Sequence, residues 1–537
     1  MADHTMHPET TADPPPREAA VASLLPWLAL AGSLAVRLVP AQASFLSPDE
    51  ALHHLLASQT SVSAAYQAAL TNAHPPLLVL VLYYWRSLGQ SELMLRLPSV
   101  LAGTACCWVV YQWLEQVTDR STALVGLLLF GFAPALVELS AEIRQYALLL
   151  FFMSACLYLS ERALREDSWR WMILFSLSLL GALLTHYSSL IFAFAMGVYL
   201  LVRQVPHGKS PRVFAAWMGG QAAALALTAY FLATHVARLR QIGMPQRIAE
   251  TWLRQSIYHP GEDHAAVFAG AQTWRVFTFL LGNGVAGALT LLAFLVGLAS
   301  LLRRQEPVHE RGPRPRQLAL LLGLPFVVSC GTALAGLYPY GGTRHDAFLA
   351  LFALSGASVG LAAWQPAREW IKPLVVAGAL ALSNFFPAFP AARPPAALAA
   401  RARASMQAAV ADLRASAPPG SIILADYQSG LLLGYYACGH GIVQVGALLP
   451  LAKTGCGPYV AITTGPQQWS LQPEELDDEL ASLAQTYHLA PGTKVWWFDA
   501  GSIGRPAPRL RRKLLRLGWP DSRSFGDNIL LCPLTVG

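Results

Sequence analysis

Apolar runs of about 20 residues, the length that crosses a bilayer as a helix, recur along this chain from residue 22 to about residue 389. In lipid every backbone N–H and C=O needs an internal partner, so such runs can only form a helical bundle. Eleven are expected, at about 22–41, 98–116, 122–138, 146–161, 170–185, 188–203, 213–235, 275–302, 317–337, 346–364 and 372–388. One further run, "PPLLVLVLYYW" from Pro75 to Trp85, is too short to span comfortably and is expected to lie in the interface or re-enter. Charged residues make up only 13% of the chain, against roughly 25% in a soluble protein.

If 75–85 does not cross, the basic loops fall on one side: Arg120; Arg162, Arg165 and Arg170; Arg203, Lys209 and Arg212; Arg303 to Arg316; Arg368 and Lys372. That side is the cytoplasmic one by the positive-inside rule. One loop dissents, with Arg238, Arg240, Arg247 and Arg254 between residues 236 and 274; anionic lipid or a donor headgroup is its expected partner. The net charge of +7 is explained by this topology, and no nucleic-acid partner is expected. The division expected is a disordered cytoplasmic leader (1–21), a membrane unit (22–390) and a soluble extracytoplasmic tail (391–537).

The tail mixes helical and strand-like runs, among them "GSIILAD", "KVWWFDAG" and "NILLCPL", so a small α/β domain with a mostly parallel sheet is expected. "DYQSGLLLGYYACG" opens a helix after a strand, the usual place for a ligand site in such a sheet. It contains no phosphate-binding glycine motif, and no nucleotide cofactor is expected. Cys438, Cys456 and Cys532 lie in this exported region, where a disulfide can form.

With this topology, ionisable residues from five separate connections gather on the outer side, which marks a candidate active cavity. In "FLSPDEALHH", Ser47 and Pro48 start a short helix that carries Asp49 and Glu50 in its first turn. Acidic residues there complement the helix dipole; a carboxylate at a water–lipid boundary also suits a base that deprotonates an acceptor. His74 precedes two prolines and is placed to meet a phosphate oxygen or a metal. Glu142 and Arg144 lie in "AEIRQYALLL", where Arg144 suits either a neighbouring carboxylate or an anionic leaving group, and His186 ends a helix in "LLTHYSSL". In "YPYGGTRHDAFL", Tyr340 and the Gly341–Gly342 turn lead to Arg344 and His345, and the glycines would let backbone approach a ligand.

The acidic pair after the first span, HPPL some 25 residues later, and then "ELMLRLPSVLAG", "EIRQYALLL" and "THYSSL" in that order resemble the GT-C-fold glycosyltransferases. The resemblance is to the bacterial branch akin to protein O-mannosyltransferases and the lipid A aminoarabinose transferase, and it covers residues 22–390. It implies a GT-C-like polytopic α-helical membrane protein in the cytoplasmic membrane, with a donor sugar carried on a polyprenyl phosphate. Asp49 would be the catalytic base and Glu50 would shape the acceptor site. His74, Arg144, Arg344 and His345 would meet the donor phosphate, and Glu142, His186 and Tyr340 would line the site. Some relatives bind a divalent metal, for which His74, Glu142 and His186 are the candidates here. The acceptor stays open between protein, lipid and cell-wall glycan. A secondary transporter and a noncatalytic assembly or receptor subunit are the competing classes; the chain has no strong internal repeat, which a transporter would favour.

Overall fold

The computed structural model describes residues 16–204, 210–241, 243–364, 376, 378, 380, 383, 396–438, 454–464, 475–500, 506–516, 521–526 and 528–536. Helix α1 (Pro16–Ala43) begins inside the expected leader, and residues 1–15 lie outside the described residues. The run expected at 372–388 lies almost wholly outside them too, with Lys209, Arg368 and Lys372. After α1 come three short helices, α2 (Pro48–Ala57), α3 (Val62–Ala69) and α4 (Leu77–Trp85). The bundle continues with α5 (Glu92–Val117), α6 (Arg120–Phe132), α7 (Pro134–Ser140), α8 (Tyr146–Arg165), α9 (Trp169–Leu183), α10 (Ser189–Gln204) and α11 (Pro211–Gln241). It ends with α12 (Ala265–Leu281), α13 (Gly284–Arg303), α14 (Pro315–Leu334) and α15 (Ala350–Ala363).

Among the described residues seven helices are long and apolar enough to cross a membrane, or eight if the bent pair α6–α7 is one span. The nine residues of α4 reach only about 13 Å at 1.5 Å per residue, less than half a hydrocarbon core. Two expected runs are broken, each by a readable local signal. Pro134 bends 122–138 by 58° between α6 and α7. The ring nitrogen of Pro134 has no proton for the Phe130 carbonyl. The buried Arg37 of α1 donates there instead, at 3.0 Å to Phe130 O and 2.7 Å to Gly131 O. The run 275–302 divides at Gly282, left-handed at φ 62°, and Asn283, whose side chain accepts from the N–H groups of Val285 and Ala286 and so starts a new helix.

Helices α13 and α15 touch backbone to backbone. A Cβ on Gly360 would run into the Ala293 carbonyl oxygen, and one on Gly297 into that of Gly356. Small residues four apart permit this approach, which dispersion rewards where lipid supplies no hydrophobic drive.

The tail packs a six-stranded sheet between helices. After α16 (Ala396–Ser416) come β1 (Ile422–Ala425), α17 (Tyr427–Tyr436), β2 (Thr454–Cys456), β3 (Tyr459–Thr463), β4 (Lys494–Asp499), β5 (Arg523–Phe525) and β6 (Ile529–Thr535). The strand order is β2-β3-β1-β4-β6-β5. Only β3–β1 and β1–β4 pair in parallel, while β2–β3, β4–β6 and β5–β6 are antiparallel, so the sheet is mixed where a mostly parallel one was expected. Cys438 and Cys456 form a disulfide, and Cys532 is buried and free in β6.

Gly360→Ala should destabilise the bundle by about 1–3 kcal/mol through overpacking. Gly219→Ala, where the added Cβ meets nothing within 4 Å, should be neutral or slightly stabilising. Thermal unfolding of the two variants in detergent checks the contrast.

Candidate active site

The site is built at the end of the bundle where α2 begins. Ser47 caps α2: its Oγ accepts from Glu50 N at 3.3 Å, and Ser47 N donates to Glu50 Oε2 at 2.9 Å. This capping box turns Glu50 inward, where it is 2% exposed. Arg96 of α5, fully buried, donates to it at 2.7 and 3.0 Å, and Ile143 N adds a third bond at 3.0 Å. Arg96 also binds the carbonyls of Ala41 and Ser44, at 2.9 and 2.8 Å. Glu50 therefore holds α1, α2, α5 and the α7–α8 link together. The acceptor-shaping role expected for it is not the one this geometry gives.

Asp49, one residue earlier, points the other way and is half-buried. Arg144 Nη1 and Arg344 Nη2 each approach its Oδ2 at 3.0 Å, while Oδ1 has no hydrogen-bonding partner among the described residues. Burial alone would raise the Asp49 pKa; the charges of Arg144 and Arg344 outweigh it and hold the group at about 2. The Nε donor of Arg144, itself 5% exposed, is buried without a partner among the described residues.

Beside this carboxylate runs a row of imidazoles: His53 to His74 at 6.5 Å between ring centroids, His74 to His186 at 5.1 Å, His186 to His345 at 6.1 Å. The Tyr146 ring stands 5.4 Å from His186 and 6.4 Å from His345. His53 Nδ1 donates to the Asp49 carbonyl at 2.7 Å. Ser188 N donates to His186 Nδ1 at 3.2 Å, so the His186 ring proton sits on Nε2. Burial, then the Arg144 charge, pushes His53 down to about 4, and burial with the neighbouring rings holds His74 well below its ordinary value. The row is neutral at pH 7 and rich in N–H donors.

Of the residues expected from the sequence, Asp49, His74, Arg144, His186, Arg344 and His345 come together here. Glu142 is half-buried two residues from Arg144, its carbonyl accepting from Arg144 N at 2.8 Å. Tyr340 turns away: its hydroxyl meets Thr273 Oγ1 at 2.6 Å on α12. The Gly341–Gly342 turn serves that packing rather than a ligand, since a Cβ on either residue would strike Gln272 or Arg275. Among the described residues no three His, Cys, Asp or Glu side chains stand close enough to share a metal ion, so His74, Glu142 and His186 do not form a ligand set. His53 was expected only as one of the outer-side ionisable residues, with no role of its own; its spacing of four from Asp49 on α2 was the available signal.

Removing Glu50 should cost stability rather than chemistry. Glu50→Ala leaves the Arg96 charge buried and is expected to destabilise by about 3–5 kcal/mol, read as a lowered unfolding midpoint. The imidazoles predict a pH dependence. Unfolded, each takes a proton near pH 6.5; folded, His53 resists until about pH 4. Acidification across that window therefore favours unfolding, and His53→Gln should flatten the fall in thermal stability between pH 7 and 4. Asp49 acts lower, its contribution being lost only between about pH 4 and 2.

Residues 73–233 match the family model for dolichyl-phosphate-mannose-protein mannosyltransferase. That stretch holds His74, Glu142, Arg144 and His186, and excludes Asp49 and Arg344. No curated protein sequence matches the chain. Among solved structures, ArnT from Cupriavidus metallidurans bound to undecaprenyl phosphate superposes with a TM-score of 0.56 at 16% identity, over 97% of this chain and 98% of that one. Its apo state gives 0.53 at 14%, over 96% and 98%. The archaeal oligosaccharyltransferase AglB from Archaeoglobus fulgidus, in complex with an inhibitory peptide and a dolichol-phosphate, gives 0.49 at 11%, over 90% and 70%. This chain is a multi-pass membrane protein with the GT-C fold, shared along nearly its whole length with ArnT.

Proposed function

We propose that the protein is a membrane glycosyltransferase that moves a sugar from a polyprenyl-phosphate carrier to an acceptor hydroxyl or amine at the outer face of the cytoplasmic membrane. The observation that carries this reading is the pairing of one carboxylate, Asp49, with two guanidiniums on a single oxygen, beside a row of neutral imidazoles. Cationic and N–H donors suit a departing phosphate, and the carboxylate suits a base. The match to the mannosyltransferase model and the undecaprenyl phosphate bound to ArnT support the choice of carrier.

A carboxylate held at about 2 is a weak base. An arriving phosphate competes for Arg144 and Arg344, and as they turn to it the Asp49 pKa rises toward its ordinary value. Donor binding thus arms the base. The acceptor oxygen or nitrogen attacks the anomeric carbon, and the bond from that carbon to the phosphate oxygen breaks. Polyprenyl phosphate leaves with the electron pair, Asp49 takes the acceptor proton, and direct displacement inverts the anomeric centre. The disulfide Cys438–Cys456 supports an oxidising compartment for the tail. Arg162, Arg165, Arg303, Arg304 and Arg311 in the basic loops support a cytoplasmic opposite end.

Asp49→Asn tests the reading. With a panel of polyprenyl-phosphate sugars and cell-envelope acceptors, transfer should fall about 10²–10⁴-fold, while donor binding is kept. Equal transfer by wild type and variant would remove Asp49 from the role of base.

A further inference from the structure

One buried hydroxyl within the site has no role in the chemistry above. Tyr146 opens α8 and is 0% exposed. Its ring stands against three residues of the site. The guanidinium carbon of Arg144 lies 5.7 Å from the ring centroid, and the His186 and His345 rings lie 5.4 and 6.4 Å away. On the apolar side it shares a cluster with Leu139 and Ala347.

The Tyr146 hydroxyl lies near enough to Arg144 to interact with its charge, but not in hydrogen-bonding geometry with it or with any other described residue. Other buried tyrosines of the chain find partners: Tyr199 donates to Glu161, Tyr340 meets Thr273, and Tyr435 donates to Gln90 O. Among the described tyrosines only Tyr146 buries its hydroxyl unpaired. A buried O–H without a partner costs stability, and such groups are rare without a reason.

Two neighbours share the condition. Arg144 Nε and His345 Nδ1 are also buried without a partner among the described residues, and both belong to side chains that Tyr146 touches. A phenol O–H and a guanidinium N–H are donors, so the ligand that completes them offers acceptors. Arg144 and Arg344, which meet on Asp49 Oδ2 at 3.0 Å, make that ligand an anion. A phosphate supplies several acceptor oxygens at once. Its charge also grows as the sugar leaves, because a diester carries one negative charge and the departing monoester up to about two. A fixed donor at that oxygen therefore binds more strongly as the reaction proceeds, the condition under which binding speeds chemistry.

We propose that Tyr146 is a phosphate-binding residue whose hydroxyl donates to the departing polyprenyl phosphate, beside Arg144 Nε. This rests on the carrier reading above. Tyr146→Phe keeps the ring against Arg144 and the imidazoles and removes only the O–H. The test uses the full chain in nanodiscs, with undecaprenyl phosphate, undecaprenol and inorganic phosphate as probes. Wild type should prefer undecaprenyl phosphate to undecaprenol. Tyr146→Phe should bind undecaprenyl phosphate about tenfold more weakly, the worth of one hydrogen bond to a charged group, bind undecaprenol unchanged, and unfold at the same or a higher temperature. A lower unfolding temperature would make the hydroxyl structural and overturn the proposal, as would an unchanged affinity for undecaprenyl phosphate. Wild type that binds undecaprenol as tightly overturns the phosphate-binding role and leaves lipid carriage standing. Wild type that binds inorganic phosphate through Tyr146 but no undecaprenyl phosphate overturns the carrier reading and leaves the hydroxyl its anion. Wild type that binds none of the three overturns both.

Discussion

The Glu50–Arg96 pair is the joint on which the site depends. Two opposite charges, almost wholly out of water, are worth keeping only when further hydrogen bonds satisfy them. Here those bonds go to the end of α1, the cap of α2 and the start of the α7–α8 link. The tail joins the same network: Arg403 of α16 and the Tyr436 hydroxyl of α17 both bond Glu92, which stands 3.5 Å from Arg96. A short helix outside the bundle is held in register by a charge chain that reaches from the membrane unit into the tail.

Asp49 inherits its position from that joint and its electrostatics from two distant segments. Arg144 and Arg344 are 200 residues apart in sequence, yet they converge on one oxygen. The second layer of support is neutral: Tyr187 donates to His235 Nδ1 at 2.6 Å, and His235 Nε2 donates to Asn72 O at 2.7 Å, two residues from His74. A π-helical turn over Leu232–Val236 carries that histidine, an irregularity of the kind that recurs where helices serve a site. Cationic charge and neutral N–H donors thus gather beside the start of α2 and the α7–α8 link.

The fold was largely legible because lipid imposes a simple rule on long apolar runs, and each expected run before residue 364 falls on helix. Its breaks at Pro134 and Gly282–Asn283 were written in turn and cap residues, but mean hydropathy over a span does not register a single missing N–H. The mixed character of the tail sheet was less legible. Strand patterns report burial, whereas strand direction depends on which edges meet. β3, the five residues "YVAIT" after Gly457 and Pro458, is too short for its pattern to name its neighbours in the sheet.

At the site the acidic pair shows the limit most clearly. Asp49 and Glu50 are neighbours of similar chemistry, and nothing in the sequence says which of them anchors the fold. The helical turn does: with about 100° between successive side chains, one faces Arg96 in the core and the other faces Arg144 and Arg344. The sequence by itself determined a multi-pass helical bundle with a small α/β tail, because hydrophobic length and local capping act within a few residues. Only the tertiary structure decided which carboxylate pairs with Arg96 and which with Arg144 and Arg344, and which histidines align. Those outcomes depend on contacts between segments hundreds of residues apart, which no local pattern encodes.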